Sequence, residues 1–258
     1  MFEKLKKNAM ETSDDMPHYT CLVCRQDSLA YQISVFQEIE FLSCQTCGSV
    51  TTRPIPDQEF IDEALNASRT SQLPPFPSTI ERKHFLRHIQ ELRSVSKTDR
   101  CLDLKPHNGV RTEMARIKAF PKIVGLESNP FSAEIAQKRF HKANIINQNI
   151  SEFDAGTEKF DAAICYHTLE NTNDPDGYLE DLKKHLNPKA FVYFSLCDGN
   201  HFMVPHTFMK WKEVFYPNRV HYFSREGLEA ILKRNGFKIV KRYKRFLPYQ
   251  HVIARVVK

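Results

Sequence analysis

From residue 100 onward the chain alternates short apolar runs with stretches of helical period, and few architectures accept that order. Cys101–Leu104, Ile123–Leu126, Asn144–Gln148, Asp161–His167 and Phe191–Cys197 read as strands. Helical segments lie between several of them: Val110–Ala119, Phe131–His141 and Asp176–Leu186. Asn129 precedes Pro130, and Asp174 precedes Pro175; each pair sets an acceptor cap before the residue best suited to a first helical turn. Ser224 opens a further helix with Leu228, Ile231 and Leu232 on one face, stopped at Asn235-Gly236. Phe237–Val257 holds two β-rich runs joined near Pro248, which read as a terminal hairpin. Strands separated by helices pair in parallel, with helices covering both faces. The expected fold class is therefore α/β, a doubly wound sheet ending in an antiparallel hairpin.

A second pattern precedes this one. Cys21-x2-Cys24 and Cys44-x2-Cys47 stand with 19 residues between the pairs, the spacing of a four-thiolate zinc site. Each pair places two sulfurs on one tight turn, and two turns complete a tetrahedron with no open position, so the metal would be structural. A redox Cys-x-x-Cys or four unrelated thiols is the competing reading. Tyr31–Val35 and Glu38–Leu42 read as short strands between the knuckles. The expected division is a zinc-ribbon-like module at 17–57, a linker at 58–78 and the α/β domain at 79–258. Leu73-Pro-Pro-Phe-Pro77 supports that boundary, because its prolines continue neither a helix nor a central strand. Ser78-x-x-Glu81 follows as a capping box for a helix with Phe85, Ile89 and Leu92 on one face.

Seven cysteines, an odd number without a signal-peptide pattern at the start, argue for a reducing compartment, and the cytoplasm is the expected location. No apolar stretch is long enough to span a bilayer. The net charge of +6 suits an anionic small ligand but is too small to imply nucleic acid. Lys238-Ile-Val-Lys-Arg-Tyr-Lys-Arg-Phe246 interleaves basic and aromatic residues, readable as a nucleic-acid contact or as a solvated edge strand.

Phe160-Asp-Ala-Ala-Ile-Cys-Tyr-His-Thr-Leu-Glu170, Asp174-Pro-Asp-Gly-Tyr-Leu179, Leu186-Asn-Pro-Lys189 and His221-Tyr-Phe-Ser-Arg-Glu-Gly-Leu228 occur in the order found in class I S-adenosylmethionine-dependent methyltransferases. The resemblance covers roughly residues 80 to 258. With a zinc knuckle in front, the chain is similar to small-molecule methyltransferases, including sugar C-methyltransferases. It implies a Rossmann-like sheet of seven strands, S-adenosylmethionine as cofactor, and a small polar acceptor such as a nucleotide sugar.

The resemblance also places the donor site. Asp103-Leu-Lys-Pro-His-Asn-Gly109 occupies the family's glycine-rich loop; Asp103 and Gly109 survive, while Lys105 and His107 stand where glycines are expected. Glu127 matches the carboxylate that holds the ribose hydroxyls, although an acidic neighbour of a helix start is a second reading. Asn149 and Ile150 fall against the adenine, and Tyr166 falls beside the donor. His167 and Glu170 follow the fourth strand as candidate catalytic residues, with His167 a general base or, alternatively, both residues organising a turn. The sugar enzymes' Glu-His pair is replaced by Asn218-Arg219, leaving His221 or Tyr222 as substitutes. His201 and His206 are lesser candidates in the insertion after the fifth strand. A non-catalytic binding or scaffold relative is the alternative to an enzyme, because the loop has lost two glycines; an RNA methyltransferase ranks third.

Overall fold

The computed structural model describes residues 18–36, 38–71, 77–244 and 247–257. Strands β1 (His18–Thr20), β2 (Asp27–Phe36), β3 (Ile39–Cys44) and β4 (Val50–Arg53) form an antiparallel meander. Helices α1 (Gln58–Ser71) and α2 (Thr79–Ser96) follow. The α/β alternation then runs β5 (Arg100–Leu104), α3 (Val110–Lys118), β6 (Lys122–Leu126), α4 (Pro130–Arg139), β7 (Asn144–Ile146) and β8 (Phe160–Tyr166). It continues through α5 (Pro175–Lys184), β9 (Leu186–Cys197), β10 (His221–Tyr222), α6 (Arg225–Arg234), β11 (Phe237–Arg242) and β12 (Tyr249–Val256).

The larger sheet has seven strands in the order β11-β12-β9-β8-β5-β6-β7. Neighbours from β9 to β7 pair in parallel, and β12 runs antiparallel to both of its neighbours. The expected doubly wound sheet with its terminal hairpin is present. From β5 the chain first moves outward to β6 and β7, then returns to β8 on the other side. Ligands bind at the carboxyl ends of the strands at such a reversal.

Local chemistry accounts for the helix starts. Ser78 Oγ accepts from the Glu81 amide at 3.2 Å, while the Ser78 amide donates to Glu81 Oε2 at 2.7 Å. Asn129 Oδ1 accepts from the Ser132 amide at 2.6 Å, and Asp174 Oδ1 accepts from the Gly177 amide at 3.1 Å. Each cap satisfies donors the helix itself leaves open, at about 1 kcal/mol. Helix α2 buries Phe85, Ile89 and Leu92 on one face of the large sheet, against Cys101, Ile164 and Tyr193. The opposite face carries Leu102, Ala163, Phe194, Leu228 and Ile231, and Cys21, Val23, Cys44 and Cys47 belong to that same apolar cluster.

The amino-terminal sheet is thus joined to the domain rather than strung before it. Strand β10 is its fifth member, pairing with β4 through His221↔Thr51 and Tyr222↔Val50. The Thr52 amide donates to the Val220 carbonyl at 3.0 Å. The stretch read as a linker carries α1, capped where Asp57 Oδ1 accepts from the Phe60 amide at 2.8 Å. Ile61 and Leu65 of α1 bury against Val220. Most of the Leu73–Pro77 boundary lies outside the described residues. Leu186–Lys189 is an irregularity within β9, with Lys189 at φ 69° and a register shift opposite Phe160–Ala162. Among the described residues no helix is long and apolar enough to cross a membrane.

Candidate active site

The four knuckle cysteines come together. Cys21 and Cys47 Sγ are 3.9 Å apart, Cys24 and Cys44 Sγ are 3.8 Å apart, and all four sulfurs lie within 4.8 Å of one another. Sulfurs held at about 2.3 Å from one tetrahedral ion stand about 3.8 Å apart, so the set fits zinc. Both knuckles turn alike: the residue after the second cysteine, Arg25 or Gly48, has positive φ (56° and 73°) and donates its amide to the first cysteine's carbonyl. The cluster docks on α6. Ser49 Oγ accepts from the Ser224 amide at 3.0 Å, Ser224 Oγ donates to the Cys47 carbonyl, and Arg234 donates to the Val23 carbonyl at 3.0 Å. Asp176 on α5 accepts from Arg25 at 2.8 Å, from Arg234 at 2.8 Å and from Asn235 at 2.6 Å.

Two cavities open at the carboxyl ends of β5, β6 and β8. The smaller, of about 230 Å³, is lined by Leu104, Lys105, Leu126, Ser128, Asn149 and Ile150, and is covered by Gln58 and Asp62 of α1. The larger, of about 600 Å³, is lined by His107, Arg111, Tyr166, His167, Asn171, Arg219 and Tyr249 among others. The Lys105–Asn108 loop divides them: Lys105 faces the small cavity and His107 the large one. Lys105, His107 and Gly109 have φ of 59°, 56° and 75°, the left-handed backbone that glycines adopt freely. The loop therefore keeps a glycine-like path despite its side chains. Gly109 has no room for another residue, since a Cβ there would stand 2.9 Å from both Ala136 and Phe140. Lys105 Nζ lies 4.0 Å from Asp62 Oδ1, which ties the loop to α1.

Asp103 and Glu127 sit beneath this loop, on neither cavity wall. Asp103 Oδ2 accepts from Thr112 Oγ1 at 2.6 Å, and burial pushes its carboxyl up to about 7. Glu127 is fully buried; its Oε2 accepts from the His107 amide at 2.7 Å and its Oε1 from the Asn129 amide at 3.0 Å. The small cavity, with apolar Leu104, Leu126 and Ile150 beside the Asn149 amide, suits an adenine, and the Glu127 carboxylate adjoins it beneath the loop. The residues of the small cavity fit the adenine end of S-adenosylmethionine.

His167 and Glu170 form a dyad on the large cavity. His167 holds φ 53° at the end of β8, and its Nδ1 lies 3.0 Å from Glu170 Oε1. Glu170 is fully buried, and its Oε1 also accepts from the Cys197 amide at 2.7 Å. Burial alone raises a carboxyl, yet His167, Arg219 and that amide together hold Glu170 below its ordinary value. Arg219 Nε stands 3.9 Å from Glu170 Oε1, and Arg219 Nη1 donates to Glu213 Oε2 at 3.0 Å. Tyr249 Oη donates to Glu213 Oε1 at 2.6 Å.

His221 and Tyr222 are corrected from the catalytic set: both are fully buried and line neither cavity. His221 Nδ1 lies 3.4 Å from Thr51 Oγ1, and Tyr222 Oη accepts from the Phe215 amide at 3.2 Å. Strand β10 turns them toward the cysteine sheet. His201 is buried and accepts from the Met203 amide at 3.2 Å, whereas His206 is exposed. Residues missed by sequence reasoning include Gln58 and Asp62, for which the Asp57 cap was an available signal. Arg219 was read only as the loss of a histidine, and Glu213, Tyr249, His88, Tyr193 and His251 carried no local signal.

A family profile described as a methyltransferase domain matches residues 65–242. No match was found among curated proteins. Among solved structures the chain is similar to the [4+2]-cyclase SpnF, at 13% identity and TM-score 0.57, covering 79% of this chain and 98% of that one. It is similar to the N-methyltransferase NodS of Bradyrhizobium japonicum in complex with S-adenosylhomocysteine, at 16% identity and TM-score 0.55, covering 78% and 98%. A third is the 1,6-didemethyltoxoflavin-N1-methyltransferase of Burkholderia thailandensis with bound substrate and S-adenosylhomocysteine, at 15% identity and TM-score 0.55, covering 89% and 99%. With its strand order, its divided cleft and this profile match, the chain belongs to the methyltransferase-domain family and has the class I S-adenosylmethionine-dependent fold.

Proposed function

We propose that the chain transfers a methyl group from S-adenosylmethionine to a small polar acceptor held in the large cavity. The observation that carries this reading is the His167–Glu170 dyad at the end of β8, on the cavity that the donor loop itself walls. Leu104, Leu126, Asn149 and Ile150 would hold the adenine and the loop backbone at Lys105–Gly109 the remainder, while Glu127, with both oxygens on amides beneath the loop, shapes that loop rather than meeting the ribose expected of it. When bound, the cofactor supplies a methyl group already activated on a sulfonium, so the protein's task is positioning and proton removal. Glu170 fixes His167 with a proton on Nδ1, leaving Nε2 to take the proton from an acceptor O–H or N–H. His167 is held rather than free to swing by the buried Glu170 carboxylate, which the Cys197 amide fixes in turn.

A nucleotide-sugar acceptor asks for cations around a diphosphate. Of the arginines on this cavity, Arg219 is engaged by Glu213, and Arg111 lies 4.2 Å over the Tyr166 ring. That balance favours an uncharged acceptor over a sugar nucleotide. The basic hairpin offers little to RNA, since Lys241 pairs with Glu91 and Arg242 with Glu229. Zinc at the four cysteines would cross-link the small sheet that pairs with β10.

A second reading, a binding relative without transfer activity, draws on Glu127, whose carboxylate is fully buried and already engaged by two amides. Calorimetric titration with S-adenosylhomocysteine separates the two. Micromolar binding that Ile150→Asp abolishes and His167→Gln leaves intact supports the methyltransferase. No heat and no thermal stabilisation at millimolar ligand would falsify donor binding.

A further inference from the structure

Three residues from three elements meet on the large cavity: His88 of α2, Tyr193 of β9 and His251 of β12. The Tyr193 hydroxyl lies 3.0 Å from His88 Nδ1 and 3.0 Å from His251 Nδ1. A phenol has one proton to give, so at most one Nδ1 accepts from it, and at least one of the two rings must donate its Nδ1–H to the phenol oxygen. The ring that accepts carries its own proton on Nε2; the ring that donates has a bare Nε2. The arrangement in which the phenol donates to one ring and accepts from the other sets them in opposite tautomers, with centroids 5.0 Å apart.

We propose that His88, Tyr193 and His251 form a neutral relay that offers the substrate one donor and one acceptor nitrogen side by side. Such a pair selects an uncharged edge with a hydrogen-bond donor beside an acceptor, as in a lactam, an amide or an N–H heterocycle. This assignment rests on the large cavity being the acceptor site. Burial keeps both rings neutral, drawing His88 down to about 4 and His251 to about 3, and holds the Tyr193 phenol well above its ordinary value. A neutral pair brings no positive charge to a phosphate.

The relay also moves a proton without moving charge. A proton arriving at the bare Nε2 sends that ring's Nδ1 proton to the Tyr193 oxygen. The Tyr193 proton passes to the second Nδ1, and the second ring releases its Nε2 proton. Four protons shift by one place, one entering as one leaves, so the relay stays neutral and the two rings exchange tautomers. A substrate whose methylation requires a tautomeric shift, such as a lactam reacting at nitrogen or oxygen, is matched by this exchange.

Nitrogen spectra of the full chain with ring-labelled histidine test the assignment at neutral pH, with His88→Gln and His251→Gln providing the peak assignments. The expected result is one Nδ1–H per pair, seen as two opposite tautomers or as complementary averaged populations. Tyr193→Phe should return both rings to the Nε2–H form, and His251→Gln should leave His88 in it, since Tyr193 then only donates. Millimolar 2-pyridone, the neutral lactam probe, should shift both rings, whereas inorganic diphosphate should not. Both rings in the same tautomer in the unmodified protein, whether Nε2–H or Nδ1–H, or either as imidazolium, overturns the relay. If 2-pyridone moves neither ring, or diphosphate moves the pair, the substrate-edge assignment fails. S-adenosylhomocysteine added to the same sample reports the donor reading independently, so its failure with the tautomers intact is recognisable.

Discussion

Replacing Gly227 with alanine tests whether the cysteine module and the methyltransferase domain are one packed body. Gly227 lies in the first turn of α6, and a Cβ there would stand 2.0 Å from Ser49 Oγ and 2.8 Å from Val23 Cγ1. Ser49 is almost fully buried, and its hydroxyl meets the Ser224 amide at 3.0 Å and Ser224 Oγ at 3.2 Å. To regain ordinary contact distance it must retreat by about 1.3 Å, taking both bonds beyond hydrogen-bonding range. Overpacking costs about 1–3 kcal/mol, and a buried polar group stripped of its partner costs about 1–3 kcal/mol more. The expected destabilisation is about 2–5 kcal/mol, or about 5–15 °C in Tm for a domain of this size. Thermal unfolding followed by circular dichroism measures it. Ser49→Ala removes the clashing oxygen, so the double variant should recover part of the loss, a coupling of about 1 kcal/mol or more. A Gly227→Ala Tm within 2 °C of the unmodified protein, or a double variant with strictly additive losses, refutes the docking argument.

Three further outcomes follow from the same contacts. His88 and His221 are buried and His251 is half-buried, and loss of solvent draws their values down to about 4, about 4 and about 3. The unfolded chain therefore binds up to three more protons between pH about 6.5 and about 4, and stability should fall as pH drops through that window. The slope approaches about 4 kcal/mol per pH unit at its steepest, measurable by urea unfolding at a series of pH values; a flat profile there contradicts the burial. Glu170→Ala leaves the buried Cys197 amide without its acceptor and half-buried Arg219 with only Glu213, and should cost about 1–3 kcal/mol with loss of methyl transfer. Because Glu170 is held below its ordinary value, its contribution is present above pH about 4.3 and is lost on acidification below that, so the variant should also lose this part of the acid dependence. Cys44→Ser should abolish stoichiometric zinc by elemental analysis and lower Tm by at least as much as Gly227→Ala, since the metal supplies folding energy to a small sheet.

The sheet was legible because its signals are local. Ala163 and Ile164 lie within a continuous apolar run, as a central parallel strand requires, and Asn129 and Asp174 announce their helices. The cysteines were legible from spacing alone. What failed was long-range pairing. Nothing in His221-Tyr222 says that these two residues join a sheet begun at residue 18, so their side chains were assigned to a cavity they do not reach. Arg219 next to them lines that cavity instead. The His88–Tyr193–His251 contact spans 163 residues of chain and exists only once α2 is laid across β9 and β12. Helix α1 is a different case: Asp57, Ile61 and Leu65 carry a cap and an apolar face, set between two proline-rich stretches that by themselves spell a linker.

The pairing of β4 with β10 also imposes an order on synthesis. The cysteine sheet is translated first, yet its last strand is made about 170 residues later, together with the Val220 amide that donates to the Glu170 carbonyl at 2.9 Å. Until then the ribosome-bound chain carries an exposed sheet edge and an uncovered apolar face built around Val23 and Cys44. Metal captured early would hold the two knuckles in register through that interval. The amino-terminal module is thus a template that waits for the rest of the chain, and its free edge is the hazard of that wait.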